Sequence, residues 1–289
     1  MTELKFVPAH PAVGADVVDL DLAAAIERED AAMLNAIGDG LHRYLMLRFR
    51  GQQLRPQQIE RLGKRFGPLL SLKRPENPTA GHIDGVEYLK VISNTRDNDG
   101  RPLGDGSNAA QEWHTDGAMK PLPATYSYFY ARKVPTVPPK TYWLNAYLLY
   151  EDLPQAMKER IANVQVIHHH YTAGNELPLP PSKPLEERLK GPQHPLVRVH
   201  PVTRRKILYL PHRSDALVVG MNEAQSADLI LLLRELAVAC PHQWGTALQV
   251  DDFVIWDNRP CLHRRDSWDD AEERIMWHLA NEGERPIAA

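Results

Sequence analysis

Cysteine is nearly absent from this chain. Cys240 and Cys261 are the only two among 289 residues, too few for a stapled secreted scaffold. A disulfide between them is not expected in a reducing compartment, and Cys261 reads as a packing residue. No run of about 18 apolar residues occurs, so no membrane-spanning helix is expected. The first residues, Met1-Thr2-Glu3-Leu4-Lys5, lack the apolar centre of a signal peptide, which points to a cytoplasmic protein. A basic excess is also missing. The net charge is −3, so nothing suggests a nucleic-acid footprint. No repeat or low-complexity tract interrupts the chain. What remains is 43% hydrophobic content, enough for a sizeable core in one domain spanning 1–289.

Hydrophobic period and punctuation predict helices over Leu22–Leu41, Arg55–Phe66, Leu149–Ile161 and Asn222–Cys240. In the last, Leu229, Leu232, Leu233 and Leu236 are expected on one face, with Pro241 ending it. Strands are expected over Val86–Ser93, Thr125–Arg132, Asp252–Trp256 and Arg274–Ala280, and a polar, Gly-rich loop over Thr95–Ala110. Many short strands with a few helices fit a mainly β fold with flanking helices, the double-stranded β-helix or jelly roll shared with cupins. The Pro-rich stretch Leu177–Pro195 can be a linker or a mobile flap. The flap reading, over 171–195, is preferred because long structureless loops within compact domains are often functional.

The chemistry concentrates in two places. Glu112-Trp113-His114-Thr115-Asp116-Gly117 carries a His-x-Asp, and Trp256-Asp257-Asn258-Arg259-Pro260-Cys261-Leu262-His263 carries a second histidine. Arg274 follows further on. Alternation along a strand would turn His114 and Asp116 to one side and Thr115 to the other. Two imidazoles and one carboxylate on one face of a metal leave the opposite face open, the ligand set of non-haem Fe(II) oxygenases. The spacing alone is a weak signal, since His82-Ile83-Asp84 repeats it between two glycines. His82 is read as a surface-turn residue.

Several segments in shared order strengthen the reading. They are Gly14-Ala15-Asp16-Val17-Val18-Asp19-Leu20-Asp21-Leu22, Tyr44-Leu45-Met46-Leu47-Arg48-Phe49-Arg50-Gly51-Gln52-Gln53-Leu54, Arg65-Phe66-Gly67-Pro68, Val91-Ile92-Ser93-Asn94, Lys140-Thr141-Tyr142-Trp143, His200-Pro201 and Leu208-Tyr209. With the His-x-Asp…His…Arg order, they resemble the TauD/TfdA family of Fe(II)- and 2-oxoglutarate-dependent dioxygenases over nearly the whole chain. The resemblance implies His114, Asp116 and His263 as metal ligands. It implies Arg274 and Thr141 as partners of the far carboxylate of 2-oxoglutarate, with O2 as second cosubstrate. A guanidinium fork suits a carboxylate, and a hydroxyl can donate to the same oxygens. The implied reaction hydroxylates an unactivated C–H of a small organic substrate and releases succinate and CO2. Asp116 argues against a halogenase, whereas desaturation and cyclisation remain alternatives. A cupin-like hydrolase or isomerase, or a silent ligand-binding jelly roll, are the rival readings, and neither needs Arg274 with Thr141. Relatives in the family are often dimers or tetramers, so a homo-oligomer is left open.

Where several relatives carry another Arg four residues after the cosubstrate Arg, this chain has His278. In sulfonate-specific members that Arg holds the substrate anion, so taurine is disfavoured and an organic acid or amino-acid derivative is expected. Lys73, Arg74 and Lys90 are either solvated surface charges or captors of that anion. Ser93, Asn94 and His278 are further candidate substrate contacts. Trp113 is expected to pack beside the metal and shield it from water. Asn258 is expected to orient His263 by a hydrogen bond. In His168-His169-His170, alternation prevents all three from binding one ion, and one of them could line the substrate mouth.

Overall fold

The computed structural model describes residues 4–71, 81, 83–96, 99–100, 102–104, 106, 108–168, 184–212 and 216–289. Lys73, Arg74, His82, His169, His170 and the first part of the expected flap, 171–183, lie outside them. The architecture is mixed α/β with several sheets. The largest has seven strands in the order Lys5–Pro8, Ala15–Val18, Met46–Phe49, Phe253–Asp257, Tyr126–Lys133, Ile275–Ala280, Lys90–Ser93. A four-stranded sheet runs Gln243–Ala247, Lys140–Asn145, Cys261–Arg265, Gln111–His114. Two three-stranded sheets complete the β structure among the described residues.

Period-two alternation explains how the large sheet carries two cores. In Phe253–Asp257, Val254 and Trp256 point into a cluster shared with Trp143, Leu144 and Leu262 of the four-stranded sheet. Phe253 and Ile255 point the other way, onto Ile37, Leu41, Ile59 and Leu62 of the covering helices. A strand buried on both faces reads as a continuous apolar run, which is what Phe-Val-Ile-Trp is. Burying each such side chain contributes about 1.5–3 kcal/mol.

The helices differ from the sequence expectation at their breaks. Leu22–Leu41 is two helices, Leu22–Glu27 and Ala31–Tyr44. Asp21 accepts from the Ala24 N–H, and Asp30 accepts from the Met33 N–H, so each aspartate starts its own helix. Glu29 between them has φ 52°, which no helix continues through. Leu149–Ile161 is likewise split into Ala146–Glu151 and Gln155–Ile161, with Asn145 capping the first and Pro154 preceding the second. In Glu223–Ala239 the inward face is Leu229, Ile230, Leu233 and Ala237, while Leu232 is 38% exposed, off the expected stripe. The strand expected from Val86 begins only at Lys90. The last part of the flap region holds a short helix, Leu185–Arg188, and a strand, Gln193–Pro195, which pairs with Gln165–Ile167. No helix among the described residues is long and apolar enough to cross a membrane. Cys240 and Cys261 are both buried free thiols.

Candidate active site

The Cys261–Arg265 and Gln111–His114 strands are neighbours, and their register sets His263 directly across from His114. The two imidazole centroids are 4.0 Å apart. Asp116 lies two residues beyond the end of its strand, where Gly117 at φ +69° turns the chain back. The carboxylate therefore is not held by the ladder that holds His114. Asn258 holds the Asp116 backbone instead: its Oδ1 accepts from the Asp116 N–H at 2.9 Å and its Nδ2 donates to the Asp116 carbonyl at 3.0 Å. A further Nδ2 bond reaches the Ala124 carbonyl at 2.9 Å. Asn258 thus orients Asp116, not His263 as the sequence suggested, because its side chain meets the loop after the first ligand strand.

One nitrogen or oxygen from each of His114, Asp116 and His263 lies within 4.8 Å of the others. Asp116 Oδ1 is 4.0 Å from His114 Nε2 and 3.7 Å from His263 Nε2. His114 Nδ1 is 2.7 Å from the Glu112 carbonyl. A carbonyl only accepts, so Nδ1 carries the proton and Nε2 presents a lone pair inward. Burial, reinforced by His114, pulls His263 down to about 3. Burial also lowers His114. Asp116 is pushed up by burial, but His263, His278 and His114 outweigh this and hold it below the usual carboxylate range. Two neutral imidazoles and one ionised carboxylate are the protonation states that a divalent metal requires.

Beside this cluster lies a cavity of about 30 Å³ whose walls include His263, Thr141 and Arg274. Arg274 is 5% exposed, and no carboxylate pairs with it among the described residues. Burial, then neighbouring Arg265, lowers its guanidinium to about 9. A guanidinium rarely gives up its proton even when buried, so the shift is read as a demand for an anion. The buried Thr141 Oγ1 has no hydrogen-bond partner among the described residues. A carboxylate would satisfy both groups at once. Asn94 fixes this wall, since its Oδ1 accepts from the Arg274 N–H at 3.0 Å and its Nδ2 donates to the Glu272 carbonyl. Ser93 lines the same cavity and is bonded to Thr95, placing it with Arg274.

A second cavity, of about 180 Å³, opens on the other side of the ligands, with His114, Asp116, Met119, His168 and His212 in its walls. Gln111 lines both cavities. Trp113, expected beside the metal, alternates with His114 and is buried in the core cluster between the sheets, backing the ligand strand instead of walling either cavity. Lys90 is half-buried on the edge strand of the large sheet and borders neither cavity. His278 lies 3.6 Å from Asp116 Oδ2. Ser127, which the sequence did not single out, donates to the same oxygen at 2.7 Å. Nothing local to Ser127 signals this role, because the contact joins strands of different sheets.

Residues 5–280 match the family model for taurine catabolism dioxygenase TauD, TfdA family, and the chain belongs to that family. It is an alpha-ketoglutarate-dependent dioxygenase, and the His114, Asp116, His263 cluster is the metal site of that chemistry, which typically uses Fe(II). It is 28% identical over 289 residues to the (S)-phenoxypropionate/alpha-ketoglutarate-dioxygenase of Sphingobium herbicidovorans, covering 94% of this chain and 92% of the relative. It is 27% identical to the alpha-ketoglutarate-dependent 2,4-dichlorophenoxyacetate dioxygenase of Cupriavidus pinatubonensis, covering 93% and 94%. In fold it is similar to a taurine dioxygenase from Burkholderia xenovorans, with TM-score 0.79, 24% identity, and 99% and 92% coverage. It is also similar to AAD-2 in complex with Mn(II) and N-oxalylglycine, with TM-score 0.80, 23% identity, and 99% and 100% coverage.

Proposed function

We propose that this dioxygenase hydroxylates an unactivated C–H of a small organic acid or amino-acid derivative. The observation that carries the reading is that His263 belongs both to the metal cluster and to the wall of the cavity that holds Arg274 and Thr141. A diacid anchored by those two groups would reach the metal with its other end. In this reading His114 Nε2, Asp116 Oδ1 and His263 Nε2 hold Fe(II). Arg274 and Thr141 bind the far carboxylate of 2-oxoglutarate, and Gln111 stands between cosubstrate and substrate. Bound Fe(II), 2-oxoglutarate and O2 supply the oxidising chemistry, with succinate and CO2 as coproducts.

The protein's own part is placement and exclusion of water. Asn258 fixes the Asp116 loop. The lone pair of His114 is aimed by the Glu112 carbonyl. The larger cavity, walled by Met119, His168 and His212, is the substrate chamber. Lys73 and Arg74 are proposed to meet the substrate anion, whereas Lys90, which borders neither cavity, is left out of that set. Ser93 and Asn94 support the cosubstrate wall. The sheets are read as a double-stranded β-helix, with 1–289 a single cytoplasmic domain and 171–195 an active-site flap. Phenoxy-acid dioxygenases among the relatives support a carboxylic acid as substrate, although sulfate-ester and sulfonate dioxygenases stand among them as well.

The test is succinate release. Protein loaded with Fe(II) and 2-oxoglutarate without oxygen should show a visible charge-transfer band. On admitting oxygen, a panel of small carboxylic acids should include one that couples succinate formation to its own hydroxylation. Formation of neither band nor succinate with any acid would sink the reading.

A further inference from the structure

Asp116 offers two oxygens with different surroundings. Oδ1 faces the two imidazoles, at 4.0 Å from His114 and 3.7 Å from His263. Oδ2 faces away from them, toward Ser127 Oγ at 2.7 Å and His278 Nε2 at 3.6 Å. Ser127 and His278 sit on adjacent strands of the seven-stranded sheet, while Asp116 follows a strand of the four-stranded sheet. The pair therefore reaches across between the sheets. His278 is 8% exposed, and its Nε2 has no hydrogen-bond partner among the described residues, Asp116 Oδ2 lying just beyond hydrogen-bond length. The Phe129 ring packs edge-on against the imidazole with centroids 5.0 Å apart, which limits how the ring can turn.

We propose that His278 is a positioning residue that, together with Ser127, holds the outer oxygen of Asp116 so that the metal receives one carboxylate oxygen instead of two. The inference rests on the metal reading above. A carboxylate can bind a metal through one oxygen or both. Ser127, hydrogen-bonded to Oδ2, and the His278 imidazole beside it compete with the second mode. An ion held by two imidazoles and a single oxygen keeps its opposite face open for a chelating cosubstrate and oxygen. The same geometry removes His278 from the list of substrate anchors: its free nitrogen points at the ligand carboxylate and it lines neither cavity. Substrate recognition is then left to the chamber walled by Met119, His168 and His212 and to the segments around it.

The test uses the full-length protein, stripped of metal, and Co(II) as a visible probe. Binding is titrated against a competing chelator, and folding is checked by melting temperature. For His278→Leu, weakening of Co(II) binding by on the order of 10- to 100-fold is expected, with an altered absorption band. His278→Gln keeps an N–H donor at similar reach and should recover most of both. Ser127→Ala should weaken binding independently of any packing change at 278. Wild-type affinity and an unchanged band in folded His278→Leu and Ser127→Ala would overturn the proposal. So would equal loss in the Leu and Gln variants, since that would make the role one of packing. If His278→Leu does not fold, the Gln and Ser127→Ala results decide. Equal Co(II) binding by wild type and Asp116→Ala would instead sink the metal reading itself.

Discussion

Asn258 and Asp116 are 142 residues apart in sequence, yet the side chain of one satisfies both backbone polar groups of the other. Asn258 is fully buried and begins the turn that leads to the strand of His263. One side chain thus ties the segments that carry the second and third metal ligands. Asn258→Ala would leave the Asp116 N–H and two carbonyls without this partner, at a cost of about 1–3 kcal/mol per unsatisfied buried group. The expected outcome is a lowered melting temperature together with metal affinity reduced by on the order of 10- to 100-fold. Calorimetry and a metal titration check the two effects separately. Unchanged metal affinity in a folded variant would reduce Asn258 to a turn residue.

His114→Ala and His263→Ala should each abolish iron retention after loading and desalting, since each removes one of three protein ligands. Iron content measured per chain gives the answer directly. A variant that keeps its full iron complement would remove that histidine from the ligand set.

Arg274 and Thr141 should respond differently to truncation. Arg274→Ala is expected to weaken 2-oxoglutarate binding by about 2–5 kcal/mol, as for loss of one partner of a buried charge pair. Thr141→Val should weaken it less, by about 0.5–1.5 kcal/mol for a single hydrogen bond. In the ligand-free protein, however, Thr141→Val removes a buried hydroxyl that has no partner, so its melting temperature should hold or rise. Anaerobic titration of 2-oxoglutarate and thermal melts distinguish these outcomes. A fall in melting temperature with unchanged cosubstrate affinity would assign Thr141 to structure alone.

Acid should destabilise the metal-free protein through His263. Its folded value is pulled by burial from 6.5 to about 3. Between those two values the unfolded chain binds a proton that the folded chain does not, so stability falls as pH drops from 6.5 toward 3. His263→Gln should flatten that part of the stability curve, measured by denaturant melts at several pH values on the apo-protein. Equal slopes in wild type and variant would show that His263 protonates without strain in the fold.

How much of this was legible beforehand follows from the range of each interaction. His114, Asp116 and His263 stood out because two imidazoles and a carboxylate can share a metal, but preferring His114 to His82 and adding Arg274 took the resemblance to the TauD/TfdA family. The strand Phe253–Asp257 announced itself by an apolar run. The break at Glu29 did not, since alanines and isoleucine continue the helical period on both sides and only the capping preference of Asp30 betrays it. The larger cavity beside the metal ligands was least visible. Met119, His168 and His212 are far apart in sequence and carry no shared motif. Ser127 is one hydroxyl in an aromatic strand, and only the approach of two sheets gives it a carboxylate to hold.

The histidine ligands stand on paired strands, whereas Met119, His168 and His212 belong to connecting segments outside any strand. His263 sits on an inner strand paired on both sides and His114 on the edge strand beside it, but connecting segments tolerate substitution and changes of length. On the proposed function, reactivity and selectivity therefore sit on parts of the molecule that can drift independently. Descendants of one ancestral scaffold can exchange what they oxidise without rebuilding how they oxidise it.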